Sequence, residues 1–206
     1  MRRILFISIT QLIISLSMTS CSKKQSVSTE YIPSTLKDYS IFQSESYWLF
    51  KNEITGNYDS TYIVNGLSFT YNHEGDNDYS PILECCTIPY SGSFLQETYI
   101  EPTAYTLFFK GFQLEAIDPS SFLPAHVFEL DPITSLTNMS TLDSMTIYNN
   151  KFYNVFITKW QRIRSSTDTI RCLSYFVKKI GLIRFERYEN MTDTIWNLMN
   201  YHIVPY

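Results

Sequence analysis

Only three alanines, Ala104, Ala116 and Ala125, occur among 206 residues, against 16 tyrosines, 14 phenylalanines and three tryptophans. Alanine is the best helix former, whereas aromatic and β-branched side chains fit the pleated surface of a sheet. The imbalance argues against a helical bundle and against an α/β fold. Glycine is also sparse, with six in all, and the closest two are Gly66 and Gly75. A GxGxxG turn, a Walker A loop and a GxSxG elbow each need closer glycines, so none of these is present. Hydrophobic residues at 44% and charged residues at 17% suffice for a core and are wrong for a disordered chain.

From about residue 41 onward, short aromatic and β-branched runs alternate with turn chemistry. Strands are expected over 47–54, 60–64 and 67–71, with Asn65-Gly66 closing a two-residue hairpin between the last two. Further strands follow over 81–88, 94–100, 105–110 and 112–117. Asp118-Pro119 and Asp131-Pro132 each pair a helix cap with a proline at the first helical position, so short helical turns are expected there. The last third reads as 144–148, 151–163, 169–178, 182–188 and 194–203. Connections this short join neighbours, which gives an antiparallel meander. So many strands must hide their edges by closure or by a second layer. The expected fold is therefore all-β, a barrel or a two-layer sandwich with at most one or two short helices.

One strand resists simple alternation. Phe152, Phe156 and Trp160 share one face of 151–163, and Val155, Ile157 and Ile163 share the other. Either a loop or helix covers the second face, or the strand lines a barrel with an apolar lumen that would suit a hydrophobic ligand. Trp48, Trp160 and Trp196 are expected to fill the core rather than to line a site.

The N-terminus carries a separate message. Met1-Arg2-Arg3 is basic, and Ile4 to Leu16 is apolar but too short for a helix crossing a ~30 Å hydrocarbon core. That pattern fits a signal peptide over residues 1–20. Met18-Thr19-Ser20-Cys21 resembles the lipobox of bacterial lipoproteins, with Met18 where leucine is usual. The resemblance implies acylation of Cys21, which becomes the first residue of the mature chain, and membrane attachment through its fatty acids. Several acyl chains at ~0.8 kcal/mol per buried methylene make such a tether permanent. Residues 21–40 then read as the lipidated cysteine and a flexible spacer, and 41–206 as the β domain. By resemblance to lipoprotein sorting, Ser22 in place of Asp implies the outer membrane, and Lys23-Lys24 in place of acidic residues implies its periplasmic face. Removing Arg2 and Arg3 with the leader leaves 14 basic residues against 20 acidic, a net charge of −6. Nucleic acid is excluded as a partner on that charge.

Cys21 aside, Cys85, Cys86 and Cys172 remain. Neighbours in a strand point to opposite faces, so only one of Cys85 and Cys86 can reach Cys172. A disulfide to Cys172 from Cys86 or from Cys85, and buried free thiols, both stand as expectations in an oxidising compartment. No Cys/His spacing suits zinc, and the loop Asn72-His73-Glu74-Gly75-Asp76-Asn77-Asp78 lacks the terminal bidentate glutamate of a calcium site. Glu186 and Glu189 are three apart in a strand and should face opposite ways, so they make no acid/base pair. The chain is expected to be non-catalytic and without a cofactor. Its ligand would be a protein, glycan or lipid; the alternatives are a carrier of a hydrophobic ligand or lipid and, after that, a glycan-acting enzyme.

Two resemblances add to this. Tyr47-Trp48-Leu49-Phe50, Asp59-Ser60-Thr61-Tyr62-Ile63-Val64, Tyr175-Phe176-Val177-Lys178-Lys179-Ile180-Gly181-Leu182-Ile183 and Trp196-Asn197-Leu198 look like recurring motifs of β-rich lipoproteins of Bacteroidota-type bacteria. That likeness covers most of 41–203 and implies envelope location and fold class, with no activity attached. Four aspartates precede a hydroxyl residue and then a methyl-bearing one, at Ser60, Ser144, Thr169 and Thr194. The form resembles an O-glycosylation acceptor of exported proteins in those bacteria. It also suits turns leading into strands, because Asp bonds its own backbone and Thr and Ile favour strands.

Overall fold

A computed structural model describes residues 27–73, 81–92, 95–100, 104–109, 112–117, 127–131, 134–165, 168–189 and 193–206. The signal peptide, Cys21, the 74–80 loop and the expected helical turn after Asp118 lie outside the described residues. The strands are β1 (Thr29–Glu30), β2 (Tyr47–Asn52), β3 (Tyr58–Ile63), β4 (Ser68–His73), β5 (Ile82–Gly92), β6 (Leu95–Ile100) and β7 (Ala104–Phe109). They continue as β8 (Phe112–Ile117), β9 (Val127–Asp131), β10 (Thr134–Ile147), β11 (Asn150–Ile163), β12 (Thr169–Val177), β13 (Gly181–Tyr188) and β14 (Thr194–His202). The helix α1 spans Ser34–Ser40.

All fourteen strands belong to one sheet, in the order β8-β7-β6-β5-β3-β2-β14-β13-β12-β11-β10-β9, with β1 and β4 added on β5. The all-β class is as expected, and the pairing is antiparallel except where β1 runs parallel to β5. Among the described residues the sheet does not close by hydrogen bonds. It rolls instead, bringing β8 against β10 and β11 from the far end of the strand order. The second covering layer comes from the chain's own N-terminal segment.

That segment corrects the expected spacer. Residues 29–40 belong to the fold. The strand β1 pairs with β5, Ile32 and Leu36 are buried, and Leu36 is fully enclosed. Two helical turns are marginal alone, so packing holds α1 in place. Tyr39 packs on Phe156 with ring centroids 6.1 Å apart, and Phe42 meets the edge of Trp48 at 5.3 Å. We call the face beneath α1 the inner face. It carries Trp48 and Phe50 of β2, Ile88 of β5, Phe156 and Trp160 of β11, Phe176 of β12, Phe185 of β13, and Trp196 and Leu198 of β14, all buried in one cluster.

The Asn65-Gly66 hairpin is a second correction. The strands β3 and β4 do not pair with each other. Both pair with the eleven-residue β5, β3 at Tyr90–Gly92 and β4 at Ile82–Thr87. A long partner thus offers one edge that two half-length strands share end to end. Gly92, the last residue of β5, permits the close approach of β3: its φ is +134°, and a β-carbon there would stand 2.1 Å from the Ser60 carbonyl oxygen. Asp131, expected to cap a helix, is the last residue of β9.

Candidate functional site

With the inner face filled, the open space lies along its rim. The strand β5 reads Ile82-Leu83-Glu84-Cys85-Cys86, with Glu84 buried on the α1 side. Burying a carboxylate is costly unless it is paired. Here the Ile32 backbone N–H donates to its Oε2 at 3.0 Å, and Lys37 Nζ lies 3.0 Å from the same atom. Asp38, the next residue, performs the matching task toward the β12–β13 turn. Its carbonyl accepts the Lys179 backbone N–H at 2.5 Å, and its carboxylate pairs with Lys178 Nζ at 2.8 Å. The helix is therefore clamped to β5 on one side and to the β12–β13 turn on the other.

The C-terminal tail runs alongside. Gln43 N–H donates to the Val204 carbonyl at 2.9 Å, and Phe42 bridges to Pro205. Between α1, the turn and this tail opens a cleft of about 360 Å³, walled by Ile41, Phe42, Ile203 and Pro205 and edged by Lys37, Asp38, Lys179 and Tyr206. A second hollow of about 290 Å³, lined by Gln43, Ser44, Gly66, Leu67 and Phe69, lies on the other side of Tyr206. Tyr206 sits 5.6 Å from the Phe69 ring and lines both hollows. A third hollow of about 360 Å³ lies under the β10–β11 tip, beside Tyr153, Val177 and Tyr201.

The outer face has a different chemistry. Tyr62, Tyr47 and His202 lie in direct register across β3, β2 and β14, with Tyr47 stacked on His202 at 6.0 Å. Four residues along β2 and β3, Tyr58, Lys51, Asn197, Arg184 and Tyr175 form one row across five strands. Lys51 lies over the Tyr58 ring at 5.4 Å and Arg184 over the Tyr175 ring at 6.0 Å. Arg184 also donates to Glu186 at 2.5 Å and to Asn197 at 2.8 Å, and Tyr188 donates its hydroxyl to Glu186 at 2.7 Å. Burial, and then the hydrogen bond to Glu186, push the Tyr188 hydroxyl up to about 12. Glu189 is engaged separately, by Arg164 at 2.5 Å and by Arg187. The two glutamates are thus each neutralised by arginine in different clusters, as their spacing implied.

Cys85, Cys86 and Cys172 are all buried, and none of the three is in a disulfide, Cys86 and Cys172 included. Burial pushes Cys86 and Cys172 up to about 12, which keeps both protonated and unreactive at neutral pH. Of the four hydroxyls in the aspartate motif, Ser60 and Ser144 are exposed, while Thr169 and Thr194 are half-buried. Ser60, Thr169 and Thr194 stand at or near strand starts, but Ser144 lies well inside β10, so turn chemistry does not account for its aspartate. Among the described residues no group of three or more His, Cys, Asp or Glu is placed to hold a metal, and no helix is long and apolar enough to cross a membrane.

Sequence reasoning missed Glu84, Asp38 and Lys179. Glu84 had a signal, since a lone acid inside an apolar strand must find a buried partner. Asp38 had none, because its partners are about 140 residues away.

No family model and no curated protein matches the chain. Two crystal structures are similar in fold. One is a "putative lipoprotein" from Parabacteroides distasonis ATCC 8503, 11% identical with a TM-score of 0.44, covering 86% of this chain and 100% of that one. The other is a "putative exported protein with YmcC-like fold" from Bacteroides fragilis NCTC 9343, 9% identical with a TM-score of 0.48, covering 84% of this chain and 99% of that one.

Proposed function

We propose that the chain is an outer-membrane lipoprotein, anchored through Cys21 on the periplasmic side, whose domain is a non-catalytic binding module. The anchor is supported by the basic start, the short apolar stretch and the small residues before Cys21. The binding reading is carried by one observation, the sorting of aromatics. Trp48, Trp160 and Trp196 are all buried inside, whereas nine of the thirteen exposed large apolar side chains among the described residues are tyrosines. Tyrosine offers a flat apolar ring with a polar edge and loses little rotamer freedom on contact. A surface rich in it suits recognition of a glycan or a protein.

The second reading is a carrier of a hydrophobic molecule. What favours it is the apolar inner face, which would form a chamber if α1 left. Hydrogen exchange on the mature protein separates the two. In a binding module the amides of α1 stay protected when excess phospholipid vesicles are added. Deprotection of α1 together with lipid uptake would establish the carrier instead. The anchor has its own check: Cys21→Ser moves the protein from the membrane to the soluble fraction, and unchanged fractionation would exclude lipidation.

A further inference from the structure

Three lysines gather around the cleft between α1 and the C-terminal tail. Lys37 is paired with Glu84 and Lys178 with Asp38. Lys179 is paired with no carboxylate among the described residues. Its backbone is also unusual, with φ at +65° in the β12–β13 turn. That left-handed conformation suits Gly, Asn or Asp, and a lysine there carries a conformational cost. Nothing in the turn requires a lysine side chain, because its backbone N–H alone makes the bond to Asp38. What the lysine adds is a positive charge at the rim of a cleft with apolar walls, held open by the two clamps on α1.

We propose that this cleft binds a single-chain amphipathic anion, its hydrocarbon body along Ile41, Phe42, Ile203 and Pro205 and its anionic head on Lys179. The inference rests on the binding-module reading only in that α1 stays docked and the inner face stays closed, and it gives the rim a ligand separate from the glycan or protein suited to the tyrosine surface. Three features support that ligand class. A cation without a carboxylate attracts a negative head, and low-dielectric walls strengthen the attraction. The walls match an acyl body. Beyond Tyr206 lies the second hollow, with Leu67 and Phe69, so a side-chain rotation at Tyr206 would lengthen the groove for a longer chain. Together the two hollows fall within the ordinary range of ligand sites. A fatty acid and a lysophosphatidate share this chemistry.

The test uses the mature lipid-anchored chain in phosphatidylcholine nanodiscs, photolabelled with diazirine-tagged hexadecanoate or with a lysophosphatidate of the same chain length. Adducts should map to peptides covering 41–44 and 203–206 and fall at least tenfold with the methyl ester of the acid. Lys179→Gly is the informative variant. It removes the cation but fits φ +65° better, so its melting temperature should stay level or rise while cleft labelling falls at least tenfold. Lys179→Arg should keep labelling, which distinguishes lost charge from altered structure. Cleft labelling of Lys179→Gly at the parent's level, loss of labelling in Lys179→Arg, or adducts confined to segments outside the cleft would each overturn the proposal. If α1 stays protected in the exchange experiment while the label misses the cleft, this inference alone falls. A stronger loss with one of the two probes identifies the head group.

Discussion

The two faces of the same strands follow opposite rules. In β2 the inner positions are Trp48, Phe50 and Asn52, all buried, and the outer ones are Tyr47, Leu49 and Lys51, exposed or half-buried. Across the ladder the inner face continues as Leu198 and Trp196, and the outer face as Asn197 and Arg184. Inside, stability comes from area removed from water and from close packing, so every side chain is held by its neighbours. Outside, it comes from cross-strand pairs, cation–π contacts and a hydrogen-bonded glutamate, each of modest worth. A protein arranged in this way can change its outer face at little cost in folding. That freedom suits a surface selected for recognition.

The contrast predicts a wide gap between matched truncations. Phe176→Ala removes a fully buried ring and should cost about 3–5 kcal/mol in urea unfolding, as is typical of large-to-small core changes. Tyr62→Ala, on a residue 45% exposed, should cost at most about 1 kcal/mol. Comparable losses at the two positions would break the division between faces. The N-terminal segment belongs with the inner face by this measure. Leu36→Ala should cost about 2–5 kcal/mol, and Glu84→Ala, which strands Lys37 and the Ile32 amide, roughly 2 kcal/mol. A true linker would give nothing at either site.

Strand periodicity shows in β2 and β3 because one face is solvated and the pattern of exposure alternates with period two. It blurs in β11, where Asn154 has a left-handed φ of +52° and Val155, Phe156, Ile157 and Thr158 are buried in succession. The Asn65-Gly66 signal was local and marked a break between two strands, but not a reversal: β3 and β4 both run antiparallel to β5 and continue in one direction along its edge. The choice of partner was made by the length of β5, which no window of five residues contains. The helix α1 was unreadable for a similar reason. Ser34-Thr35-Leu36-Lys37-Asp38-Tyr39-Ser40 is polar and short, and it is helical because Leu36 finds the inner face and Lys37 and Asp38 find charges far along the chain. The rim cleft inherits that non-locality, since its walls come from residues 37–42, 179 and 203–206.

A smaller effect tests the inner face by pH. Cys86 and Cys172 have an ordinary value near 9 when unfolded and are raised to about 12 by burial when folded. The folded state therefore holds its thiol protons after the unfolded state has lost them. Stability is fully present below pH 9 and is lost as pH rises from about 9 towards 12, by about 1.4 kcal/mol per pH unit for each thiol across that window. Tyr188 acts with the same sign at its upper end. Cys172→Ala should therefore flatten the fall in unfolding midpoint between pH 9 and 10.5 relative to the parent. An equal slope in both would mean that Cys172 is open to solvent.

The smallest predicted change is at Gly66. A two-residue hairpin turn with Asn65-Gly66 would need a positive φ at the glycine, and alanine there would cost about 1 kcal/mol or more. In the structure Gly66 is not in the left-handed region, and a β-carbon on it meets nothing within 4 Å. Gly66→Ala should then leave stability unchanged or raise it by a few tenths of a kcal/mol, because the unfolded chain loses freedom while the folded one loses nothing. The size of that one number distinguishes a turn that joins β3 to β4 from a corner that carries the chain along the edge of β5. A clear destabilisation would restore the local hairpin and with it a different edge for the rim at Leu67 and Phe69.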